Sequence, residues 1–281
     1  MNGMLIINKE KDMTSRDVVN IVSKKFNTKK VGHTGTLDPI ASGVLLVLVG
    51  NYTKLVDIIT AKDKEYIAEM KLGVLTDTLD ITGNILDKKD FNVTKEEIVN
   101  VLNSFLGDSI QEVPIYSAIK VNGKKLYEYA RNNESVELPK RNITIYDIEL
   151  LDFLDDTIKF RVKVSKGTYI RSLIRDIALK LNTYGTMVSL KRTKQGEFDI
   201  EDAITLDDLK NDNYKLLKYS DILKNYEVYE LDDEEYFKVK NGQKMPVNFK
   251  NSEVIYTYQG KYVAIYEKDG ICAKIKLMFK Y

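Results

Sequence analysis

The sequence predicts an α+β fold in two parts. A mixed, mainly antiparallel sheet with flanking helices is expected over residues 1–225, and a small β-rich unit over residues 226–281. Three patterns carry this expectation. Residues 142–151 and 157–165 alternate apolar and polar side chains around Asp155-Asp156, the pattern of an antiparallel hairpin. Apolar stripes at helical spacing follow two capping boxes, Thr14 with Asp17 and Thr94 with Glu97. From Tyr226 onward, short alternating segments are broken at Asn241-Gly242, Gln259-Gly260 and Asp269-Gly270, dipeptides that favour tight turns.

In chain order, residues 4–8 read as a short buried strand and residues 14–26 as a helix with Val18, Val22 and Phe26 on one face. Residues 54–60 read as a short helix and 65–73 as a half-buried strand. Residues 94–106 read as a helix with Val99, Leu102, Phe105 and Leu106 inward and Gly107 at its end. Residues 124–131 suit an amphipathic helix around Leu126. After the hairpin, Thr168 is a plausible N-cap for a helix that turns Ile170, Leu173, Ile174 and Ile177 to the core and leaves Arg171 and Arg175 on another side. Residues 203–209 and 213–223 look helical, and six strands are expected beyond them.

Composition is that of an ordinary globular chain: 281 residues, 43% hydrophobic, 30% charged, net charge +1. No window approaches a membrane span and no secretory signal is visible, so the cytoplasm is the expected location. The near-zero net charge conceals an asymmetry. Residues 159–194 hold ten Lys or Arg against one acid, and residues 199–235 hold thirteen acids against four lysines. Such opposed stretches suggest a directed electrostatic face, or two solvated ones.

Residues 32–50 stand apart. Gly32-His33-Thr34-Gly35-Thr36-Leu37-Asp38-Pro39 is small, polar and punctuated by glycine, and the apolar run 44–49 behind it must be buried. Pro39 pushes Asp38 out of the helical region and leaves it extended on a stiff backbone. Alone, Asp-Pro is an ordinary turn; with its glycines, the chain's single histidine upstream and a buried anchor behind, it also suits a mounted catalytic acid. One His and one Cys cannot assemble a zinc site of nitrogen and sulfur ligands. Neither a nucleophile elbow, nor a Walker loop, nor a dinucleotide fingerprint is evident. Carboxylate chemistry without a cofactor remains.

The run from Gly32 to Pro39, followed by Ala41-Ser42-Gly43-Val44-Leu45, resembles the signature of the tRNA pseudouridine synthase B (TruB) family. Further stretches are similar to the same family: Tyr66 followed by the run Gly73 to Gly83, Pro114 to Arg131, Ser165 to Asp176, and Leu190 to Phe198. Two departures stand out: Glu10 and Asp12 replace a usual Pro and Gly, and Ile115 replaces a frequent second proline.

The resemblance implies a pseudouridine synthase fold with a small C-terminal RNA-binding barrel of PUA type. It implies isomerisation of uridine-55 in the T-loop of tRNA, with the base flipped out of its stack. On this basis Asp38, Arg171 and Tyr66 are the candidate catalytic residues. The candidate RNA-binding residues are His33, Gly35, Thr36, Asp80, Lys120, Tyr169, Leu190 and Arg192. No metal, no membrane and no obligate protein partner is expected, and the chain is expected to act as a monomer on the T-arm. Read from residues alone, Tyr66 would sit in a strand core, Asp80 in a solvated turn and His33 in a loop-stabilising role. A tRNA-folding chaperone with subordinate catalysis, or a guide-dependent ribosomal RNA synthase, are the competing expectations.

Overall fold

The computed structural model describes residues 1–280. Nine strands form the main sheet: β1 (Gly3–Lys9), β2 (Val31–His33), β3 (Ser42–Val49), β4 (Lys64–Leu72), β5 (Gly107–Glu112), β6 (Lys140–Leu154), β7 (Thr157–Val164), β8 (Gly185–Gln195) and β9 (Phe198–Asp199). Their order is β1-β3-β8-β4-β7-β6-β5, with β2 on β3 and β9 on β8. Every pairing is antiparallel except β3 with β8. The expected mixed, mainly antiparallel sheet is therefore present. The short parallel contact matters: Lys191 and Arg192 lie opposite Ser42 and Gly43, so the last core motif abuts the first.

Three helices flank this sheet: α1 (Ser15–Lys25), α2 (Lys95–Asn103) and α3 (Ile170–Lys180). Both expected capping boxes form, on Thr14 with Asp17 and Thr94 with Glu97. In α2 the buried pair is Ile98 and Leu102, which shifts the inward face by one residue from the expected one. Tyr169, not Thr168, caps α3; the Thr168 hydroxyl donates instead to the Ser165 carbonyl. One cluster joins α2 and α3 to Tyr66, Ala68, Met70, Phe160, Val162 and Leu190 across the sheet centre. Gly185 permits the approach of α3, since a Cβ there would lie 2.6 Å from that of Ala178.

The C-terminal part is a separate five-stranded sheet: β10 (Glu227–Glu230), β11 (Met245–Pro246), β12 (Glu253–Tyr258), β13 (Lys261–Asp269) and β14 (Cys272–Met278), ordered β10-β12-β13-β14-β11. It has five strands where six were expected, because Asp233–Lys240 is a helix capped by Asp232 with Glu235. Asn241-Gly242 ends that helix and makes no hairpin. Gln259 (φ 49°) and Gly260 (φ 71°) do join β12 to β13, with the doubly positive φ of a type I′ turn. Residues 213–223 contain only the short helix Tyr219–Ile222. Ile255, Ile265 and Phe279 pack with Met4, Ile6, Val44 and Leu46, which ties this sheet to the first. Among the described residues no helix is long and apolar enough to cross a membrane.

Candidate active site

The loop between β2 and β3 carries Asp38, and buried polar side chains hold its backbone from below. The Ser15 hydroxyl accepts from the Leu37 amide at 2.9 Å and donates to the Leu37 carbonyl at 3.2 Å. Lys9, fully buried, donates to the carbonyls of Met13 at 2.7 Å and Pro39 at 3.4 Å. From β8, Arg192 Nε donates to the Val44 carbonyl at 2.6 Å and its Nη2 to the Gly35 carbonyl at 3.2 Å. Gln195 Nε2 donates to the Thr34 carbonyl at 2.8 Å. Gly43 (φ 104°) lets β3 meet β8: a Cβ there would lie 2.2 Å from the Arg192 carbonyl oxygen. Burial pushes the Lys9 amine down to about 8, with the Asp38 charge opposing that shift.

Arg171 reaches Asp38 from the first turn of α3. Its Nε lies 3.0 Å from Asp38 Oδ2 and its Nη2 donates to Oδ1 at 3.2 Å, a two-point grip. Its Nη1 also donates to the Thr78 carbonyl and its Nη2 to the Tyr116 carbonyl, each at 3.0 Å. The arginine is thereby locked at 7% exposure, while the Asp38 side chain remains 34% exposed. A fixed cation thus orients a carboxylate that is still open to a ligand.

That opening is a cleft of about 790 Å³, within the range of small-molecule sites. Gly35, Thr36, Asp38, Tyr66, Tyr169, Arg171 and Leu190, named separately from the sequence, all line it. Tyr66 projects from near the start of β4, in register with Arg192 of β8 and Val162 of β7. Burial raises the Tyr169 phenol above its ordinary pKa, and the nearby Arg141 charge opposes this. The Tyr169 peptide is clamped by Gln111 of β5, which accepts from its amide at 2.8 Å and donates to its carbonyl at 3.1 Å.

Residues 23–170 match the family model of the TruB family pseudouridylate synthase N-terminal domain. The chain belongs to the TruB family. Residues 171–235 match the tRNA pseudouridylate synthase B C-terminal domain. The tRNA pseudouridine synthase B of Clostridium tetani is 44% identical over 279 residues, spanning 95% of this chain and 96% of that one. That of Clostridium novyi is 51% identical over 213 residues, 76% and 74% of the two chains. That of Mesoplasma florum is 40% identical over 96% of this chain and 94% of its own. Among solved structures, a Cbf5-Nop10-Gar1 complex contains a chain with TM-score 0.74 at 26% identity, covering 99% of this chain and 85% of that one.

Four of the named residues sit differently in this TruB-family chain. Arg192 borders the cleft but is only 1% exposed, with its guanidinium on protein carbonyls. Asp80 is 6% exposed and lies behind Arg171, with Oδ2 4.0 Å from Nη1. Its Oδ1 accepts from Thr78 Oγ1, Thr82 Oγ1 and the Thr82 amide, so it shapes its own loop. His33 is half-buried in β2; burial first, then the charges of Arg192 and Arg16, hold its imidazole below its ordinary pKa. Lys120 is exposed in the two-residue strand Lys120–Val121, outside the cleft lining. Asp12 (φ 63°) occupies, with left-handed backbone, the position that the family usually gives to glycine.

The basic stretch 159–194 is not one free face. Arg161 meets Glu65, Asp147 and Glu149, Lys159 meets Glu69, Arg175 meets Glu112, and Lys194 meets Asp199. These cations sit on β7, α3 and β8, whose different orientations disperse a cluster that is contiguous only in sequence. Lys9, Ser15, Gln111 and Gln195 escaped sequence reasoning, because a single polar residue in a strand or helix carries no signal of what it will hold.

Proposed function

We propose that this TruB-family enzyme converts uridine to pseudouridine in the T-loop of tRNA, at position 55, with Asp38 as the catalytic carboxylate. Isomerisation of uridine in tRNA is the activity of its family; the T-loop target and the residue roles are our reading. The reaction breaks the bond from uracil N1 to C1′ of the sugar and joins C1′ to C5. C5 loses a proton and N1 gains one, so nothing is oxidised or reduced. The sugar carbon develops positive charge as the base departs, which a carboxylate can stabilise or capture. Asp38 faces the cleft for this step, Arg171 sets its orientation, and Tyr66 offers its ring to the base and its hydroxyl to proton transfer at C5. Tyr169 and Leu190 complete the walls of the uracil pocket. Residues 226–281 serve as a PUA-type RNA-binding unit, and the work takes place in the cytoplasm, where tRNA is.

The observation that carries the reading is the two-point Arg171–Asp38 pair at the floor of a cleft lined by Tyr66 and Tyr169. The test is incubation of the purified protein with a T-arm minihelix, followed by nucleotide-resolution mapping. One pseudouridine at the T-loop position is expected, and modification at other uridines only would overturn the assignment of the target.

A further inference from the structure

Five cations line the cleft around Asp38, and three are already engaged by the protein. Lys64 Nζ donates to the carbonyls of Thr60 and Lys62, both at 2.6 Å. Arg192 holds Val44 and Gly35, and Arg171 holds Asp38, Thr78 and Tyr116. The other two, Arg141 and Lys166, make no side-chain hydrogen bond or ion pair among the described residues. Arg161, by contrast, meets three carboxylates. Asp38 is the only carboxylate among the described lining residues, so the cleft carries an uncompensated positive field on one wall.

The fold places the two cations close to the chemistry. Arg141 opens β6 in register with Gln111, the residue that clamps the Tyr169 peptide. Lys166 lies in the turn between β7 and α3 that delivers Tyr169 and Arg171. Gly167 in that turn has φ 83°, and a Cβ there would lie 3.2 Å from Arg141 Nη1. The turn and the guanidinium therefore lie against each other. A uridine whose sugar sits beside Asp38 brings its flanking phosphodiesters with it, and these lose water on entering such a cleft. Charge-assisted hydrogen bonds from the protein offset that loss.

We propose that Arg141 and Lys166 form a phosphate clamp, which grips the RNA backbone next to the uridine that enters the cleft. The proposal rests on the reading of the cleft as a uridine site. Minihelices with a single neutral methylphosphonate, scanned across the phosphates flanking the target, would be assayed for affinity and turnover with wild type, Arg141→Gln, Lys166→Met and Lys163→Met. Wild type should lose about tenfold in affinity at one flanking phosphate. Arg141→Gln and Lys166→Met should show a similar loss on unmodified RNA but little further loss at that phosphate. Each should flatten the salt dependence by about one unit of slope. Lys163→Met, on the far side of β7, should behave as wild type, and Arg141→Lys should recover most of the binding. If both clamp variants remain as sensitive as wild type at every phosphate, the clamp is overturned. If wild type binds with this sensitivity yet forms no pseudouridine, the substrate reading fails and the clamp stands.

Discussion

Asp38 and Asp80 face the same guanidinium and have opposite surroundings. Asp80 is 8% exposed in its side chain, and one of its oxygens already accepts from three donors of its own loop. Asp38 is 34% exposed, and the donors on its oxygens come from Arg171. A carboxylate satisfied by its own turn is a structural bracket, whereas one held by a single cation at a cleft floor retains lone pairs for a substrate. The pair shows that residue type and shared partner do not separate structure from chemistry. Burial and hydrogen-bond saturation do.

Substitutions at the two carboxylates and their partners put this contrast at risk. The largest effect should come from Asp38→Asn, which should reduce pseudouridine formation by more than about 10⁴-fold while leaving RNA affinity and urea-induced unfolding near wild type. Retained turnover would remove Asp38 from the chemistry. Arg171→Lys keeps the charge but loses the planar fork, so kcat should fall by about 10²-fold with a smaller change in KM. Asp80→Ala strands three donors and should lower the unfolding free energy by about 2 to 4 kcal/mol. If Asp38→Ala proved the more destabilising of the two, the contrast between bracket and reactive group would be wrong.

The smallest effect concerns the support beneath Asp38. Lys9 has its amine lowered to about 8 from an ordinary 10.5. Below pH 8 both folded and unfolded chains carry the proton, and the cost of burying the charge is present in full. Between 8 and 10.5 the unfolded chain binds more protons, so stability rises with pH. Wild type should therefore gain stability relative to Lys9→Met over that range in denaturant titrations. A constant difference would mean that the carbonyls around Lys9 hold its proton as well as water does.

Much of the cleft is legible in the sequence. Asp38, Tyr66, Tyr169, Arg171 and Leu190 lie in motifs whose order matches one family, and they do line one space. The residues that hold the site are not legible there. Gln195 reads as a polar residue in a strand, yet it is fully buried and bonded to the loop backbone; nothing at position 195 announces a partner at position 34. The charge-rich stretch 159–194 misleads for the same reason, since adjacency in sequence becomes separation across β7, α3 and β8. The helix Asp233–Lys240 does have a local signal, because Asp232 with Glu235 is a capping box like those at Thr14 and Thr94.

The alternating strands, the capped helices and the extended backbone ahead of Pro39 follow from the sequence alone. They depend on periodicity and local sterics, which act over a few residues. Which cations are engaged and which are free is a matter of the tertiary fold. So is the grip on Asp38, whose pairing partner Arg171 comes from more than a hundred residues away, whereas the donors that make Asp80 a bracket lie two residues from it.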